Sequence, residues 1–172
     1  MMVALDSLGA APKEKPVAAA EYVGSLKSFA GAMFVIHIDS FTADEAATAV
    51  AVAGRDGNSN AIRTALGRLD AGFIKLGSKG YRVAYARRIR ESDGARIILI
   101  LRNELESFER TSLKDFPTPP LAAVDVWIPD AGDGQAAISG IATVVFRSAD
   151  DVAITDWSDG SVRAFGLQER KH

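Results

Sequence analysis

His37 and Asp39 are the residues whose types and spacing point most directly to chemistry. The run FVIHID alternates apolar with polar, so the two lie on one face of a strand, with Cβ atoms about 7 Å apart. A carboxylate beside an imidazole can orient it as a general base or share a metal ion with it. A hydrolase built on this pair would draw a further acid or arginine from residues 81–110; separately, Glu104, Glu106 and Glu109 could provide paired acids for glycoside chemistry, or simply form a polar surface segment. The other ingredients are missing. No G-x-S-x-G nucleophile occurs, cysteine is absent, and the only other histidine is His172 at the chain end. No metal and no cofactor are therefore expected; GSKG (77–80) lacks the strand–loop–helix setting of a phosphate loop. The competing reading makes His37 an ordinary residue on the wet face of a sheet.

Three other sets carry weaker chemistry. Arg82, Arg88 and Arg90 fall on alternate positions of one strand, with Arg96 across a hairpin. Such a face could take a carboxylate or phosphate in bidentate pairs, or simply be a solvated, charge-neutralised wall. Trp127, Trp157 and Phe165 lie on later strands and, if aligned, form an aromatic platform or line a barrel mouth for an apolar or sugar ligand; facing inward they are core. Asp56, Asn58 and Asn60 begin like a calcium loop, but Ala61 and Gly67 stand where Gly and Glu are needed. Asp130, Asp133, Asp150, Asp151, Asp156 and Asp159 sit in turn clusters, where Asp serves the local backbone.

The elements that would position these groups are readable. YRVAYARRIR, the turn ESDG and ARIILIL form a hairpin, and its second strand is apolar on both alternating faces, so it belongs mid-sheet with a layer packed over it. AMFVIHID (32–39) is a half-buried strand. FTADEAATAVAVAG is a helix opened by a Thr42/Glu45 capping box and stopped by Gly54. A second helix around Ile62, Leu66 and Leu69 is capped by Ser59 or Asn60, and FIKL (73–76) is a short strand. Residues 103–115 fit strand or helical turn, and FPTPP (116–120) is a crossover, because proline removes backbone donors. The remainder reads as four more strands in a meander. Residues 1–24, Ala-rich and broken by Pro12 and Pro16, read as a flexible arm, and 25–172 as a single domain.

The expected fold is α+β: a mainly antiparallel sheet of about seven or eight strands, curled toward a barrel, with two short helices packed on it. The chain of 172 residues is 48% hydrophobic and 24% charged, which is globular rather than disordered. Its net charge of −2 argues against a general nucleic-acid partner. No apolar run approaches the length of about 18 residues that spans a bilayer. The first residues lack a basic start, and Asp6 interrupts their apolar stretch, so the expectation is a soluble chain, cytoplasmic as given or exported from a form with an upstream signal.

FVIHIDSFTADEA, ALGRLDAGFIKLG and YARRIRESDGARIILILRNELESFER followed by KDFP resemble, over roughly residues 30–167, a group of small bacterial proteins that are often exported. The shared motifs are structural, so the resemblance implies no activity and no functional residue. Two functional expectations stand side by side. The first is a non-catalytic domain that binds a small ligand or a protein partner, with Trp127, Trp157, Phe165, Arg82 and Arg88 as candidate contacts. The second is a hydrolase-type enzyme using His37 and Asp39.

Overall fold

The computed structural model describes residues 19–27, 31–102, 105, 121–157 and 162–170. They form nine strands and two helices: β1 (Ala20–Leu26), β2 (Met33–Ile38), α1 (Asp44–Ala53), α2 (Ser59–Leu66), β3 (Gly72–Leu76), β4 (Lys79–Glu91), β5 (Gly94–Leu101), β6 (Leu121–Pro129), β7 (Gly134–Phe146), β8 (Val152–Asp156) and β9 (Val162–Glu169). All pairings are antiparallel. The strand order β6-β5-β4-β3-β2-β1-β9-β7 closes through a β6–β7 pairing, giving an eight-stranded barrel, and β8 adds to β7 outside the ring. The expected α+β barrel-like sheet with two helices is the observed architecture. The expected meander is not, because β9 passes over β8 to pair with β7 and β1.

The apolar pattern makes two cores, one on each face of the wall. Tyr22, Phe34, Ile36, Ile38, Ile74, Ile97, Leu99, Val124 and Ile138 fill the lumen. Ala47, Val50, Ile62 and Leu66 of the helices cover Ala84, Tyr85, Ile98, Ile100, Ala123, Val144 and Phe146 on the outer wall. β5 contributes to both, as its two apolar faces require: Ile97 through Leu101 are each at most 1% exposed. Eight strands enclose a lumen just wide enough to be filled by side chains, and here branched and aromatic residues fill it.

Irregularities decide which residues face out. At the β4–β5 register shift, Ala84 and Tyr85 both join the outer core, while Val83 and Ala86 face the lumen. Tyr85 meets Phe146 edge to face at 5.8 Å, and its hydroxyl donates to the Ala149 carbonyl. Burial pushes its phenol up to about 12, and of the nearby charges Arg87 opposes this while Asp150 adds to it.

Three local expectations need correction. Thr42 does not cap α1: its hydroxyl accepts from the Ala86 N–H at 3.1 Å and its own N–H donates to the Ala86 carbonyl, so it ties the helix entry to β4. Ala43 holds the N-cap position with no side-chain bond. For α2 the cap is Asn58, whose oxygen accepts from the N–H groups of Asn60 and Ala61; this also disposes of the calcium-loop reading. Residues 20–24, placed above in the arm, are the barrel strand β1. Its lumen positions are Ala20, Tyr22, Gly24 and Leu26, half of them too small to register as a buried face in the sequence. Residues 1–18, the FPTPP crossover and Glu104, Glu106 and Glu109 lie outside the described residues.

Candidate functional site

The helix layer covers β4 to β7 and leaves the wall formed by β9, β1, β2 and β3 bare of described elements. Cross-strand register carries an outward row from Glu21 through His37 and Phe73 to Arg82. Within it the His37 ring stacks on Phe73 at 4.8 Å; Nδ1 lies 3.0 Å from Glu21 Oε2, and Nε2 3.3 Å from Asp39 Oδ1. Arg170 donates to the other Glu21 oxygen, and Arg82 pairs with Asp70. The row depends on Gly72. A Cβ there would come 2.0 Å from the His37 carbonyl oxygen, and φ is +140°, so β2 and β3 approach this closely only with glycine.

His37 and Asp39, the latter one residue beyond the end of β2, are in contact, but on a convex wall. The two carboxylates stand at opposite ring nitrogens, so they do not converge on one ion, and among the described residues no group of three His, Asp or Glu is arranged to hold a metal. Nε2, the atom a triad would turn to its nucleophile, faces Asp39 instead.

The arginine face breaks up at the β4 irregularity. Arg82 points outward opposite Phe73, whereas Arg88 stands opposite Ile97 on the lumen side. There Arg88 lies near Tyr22, whose hydroxyl is buried without a hydrogen-bond partner among the described residues. Burial raises the Tyr22 phenol above its usual range, with Arg88 opposing and Glu169 reinforcing the shift. Arg90 makes a bidentate pair with Asp130, which lowers that carboxyl. Arg87, which sequence reasoning passed over, joins three elements: it bonds Asp44 of α1 at 2.6 Å, Asp150 of the β7–β8 turn at 2.7 Å, and the Thr42 carbonyl.

Of the aromatics, the structure brings Trp127 and Phe165 onto one outward row. Arg96 pairs with Trp127, Trp127 with Gln135, Gln135 with Phe165, Phe165 with Ser25 and Ser25 with Met33, across six strands. Trp157 is elsewhere, donating its indole N–H to Thr143. Around Trp127 the wall opens into a cleft of about 270 Å³ lined by Glu91, Arg96, Asp125, Gln135 and Arg163. Arg96 is held on its floor by a bidentate bond to Asp125 (2.9 and 2.7 Å) and by the Val152 carbonyl. The indole lies over Gly94, where a Cβ would come 2.7 Å from Cζ2. Small β5 and large β6 positions thus fit together and fix the ring on the sheet. Gln135 and Arg163 carried no sequence signal; only register places them beside Trp127. A second cleft, about 320 Å³, opens between α2 and β4–β5, where Arg63 and Arg102 flank Leu66, Ala84 and Leu101. Compared with protein-family models, with curated proteins and with solved structures, the chain matches none of them.

Proposed function

We propose that this protein is a non-catalytic binding domain that takes a small polar ligand on the outside of its barrel, in the cleft over Trp127. The observation that carries this reading is the contrast between a lumen packed with side chains and an open cleft on the wall with a fixed aromatic floor. A filled barrel leaves its outer surface to do the binding. The indole offers a flat apolar face, while Glu91, Gln135 and Arg163 offer an acceptor, an amide and a cation around it. That set suits a ligand with one flat apolar side and a polar edge, such as a sugar ring. Trp157→Phe leaves Trp127 as the sole tryptophan. Titrating this variant with mono- and oligosaccharides should shift the indole emission and raise Tm, and Trp127→Ala should abolish both effects. A panel with no response, or binding that survives Trp127→Ala, overturns the reading.

A second reading rests on the Glu21–His37 contact at 3.0 Å, which resembles the orienting half of a catalytic dyad. It makes the protein a hydrolase using His37 with Asp39, and requires hydrolysis of a simple activated ester that His37→Asn removes while Tm holds. Turnover insensitive to that substitution ends it.

A further inference from the structure

We propose that the bare wall of β9, β1, β2 and β3 is a docking surface for an acidic segment of a partner protein, adjoining the Trp127 cleft, with which it shares Arg163. Its centre is apolar. Val23 and Val35 face each other half-buried across β1 and β2, Met33 is 52% exposed, and Phe165 is 43% exposed beyond Ser25. Its margins are cationic. Lys75 stands opposite Val35 on β3, while Lys27 and Arg163 meet at the other end, where the Lys27 N–H bonds the Arg163 carbonyl. None of these three has a carboxylate partner among the described residues, whereas Glu21 is paired with Arg170 and Asp70 with Arg82, which leaves Asp39, beside His37, as a single opposing charge against three cations. The charge left over on this wall is therefore positive in a chain of net charge −2. An apolar centre inside a polar rim is the anatomy of a protein interface, and the rim selects a partner of opposite sign.

The alternatives fit less well. A second copy related by a twofold axis would set this wall against itself and bring unpaired cations together. The apolar groups lie mid-wall on a convex surface rather than at a protruding tip or on an amphipathic helix, which is poor geometry for entering a lipid surface. A nucleic-acid track wants cations in a continuous line, and here the apolar centre separates them.

The probe is a fluorescein-labelled peptide of about a dozen residues alternating Glu with Leu and Phe, long enough to cross several strands. Anisotropy should rise with added protein, the affinity should fall steeply with salt, and the same peptide with Lys for Glu should not bind. Lys27→Glu with Lys75→Glu should weaken binding by about tenfold or more, mostly through slower association. Met33→Ser with Phe165→Ser should weaken it comparably through faster release. All four positions are exposed, and unchanged Tm in both double variants shows that the fold is kept. Absence of peptide binding, or binding indifferent to both double variants, overturns the proposal. So does tighter binding to phosphatidylserine vesicles or to an oligonucleotide, or self-association that the variants abolish. Because neither pair includes Trp127, Gln135 or Arg163, failure here leaves the cleft reading to stand or fall by its own titration.

Discussion

Arg87 shows how much a single side chain can hold when geometry gives it several partners. It fastens the start of α1 and the β7–β8 turn to β4, with its own side chain only 17% exposed. Both carboxylates it meets are well exposed, so the pairs are screened; Arg87→Met is expected to cost about 1–2 kcal/mol in urea denaturation, with the loss shrinking at high salt. Tyr22 is the reverse case. Its hydroxyl is buried with no hydrogen-bond partner among the described residues, so Tyr22→Phe removes an uncompensated desolvation, and stability should stay level or rise by up to about 1 kcal/mol. A clear loss of stability would show that the hydroxyl is bonded after all. Both buried tyrosines also make the fold sensitive to alkali. Their phenols titrate higher when folded than the unfolded value of about 10, so the folded chain retains protons that the unfolded chain gives up. Stability is full below that value and is lost as pH rises through it toward the folded pKa, which for Tyr85 is about 12. Circular dichroism followed over that window should show a cooperative loss that Tyr85→Phe makes less steep.

Among the elements, β5 makes the sharpest claim. A strand with one wet face tolerates truncation there; β5 should not. Ile98→Ala under the helices and Leu99→Ala in the lumen are each expected to cost about 2–5 kcal/mol, since both are fully buried in different cores. If either variant matches wild type in denaturant midpoint, one of the two cores is not closely packed. This burial was legible in IILIL because no polar residue marks a wet side. The helices were legible too, though not their caps. Thr42 has the spacing of a capping box, yet it is bonded to Ala86 instead, a residue 44 positions away that no local pattern can reveal. Bulges were illegible for a related reason. Arg82 and Arg88 share an alternating face in any regular strand, and the register shift at Ala84–Tyr85 sends them to opposite sides.

For the molecule as a whole, closure is the decisive event. β9 seals the ring between β1 and β7; without it β1 and the first part of β7 (Gly134–Ile138) would become open edges, while β8 still covers the second part. A chain ending at residue 157 is expected to aggregate rather than fold, with light scattering and loss of cooperative unfolding as the readouts. Closure also fixes where function can reside. With the lumen filled, the open ground is the bare wall, which carries the His37 cluster, Phe165 and Met33, and the cleft over Trp127 beside it.

Alternation, apolar run length and turn residues by themselves determined the number and type of most elements, the doubly buried strand and the α+β class, because these depend on neighbours within a few positions. Which of the candidate residues meet was settled by tertiary structure alone. Glu21 reaches His37, and Gln135 and Arg163 reach Trp127, through strand pairings between segments far apart in the chain. A one-residue shift in any of those pairings would turn the same side chains to the opposite face.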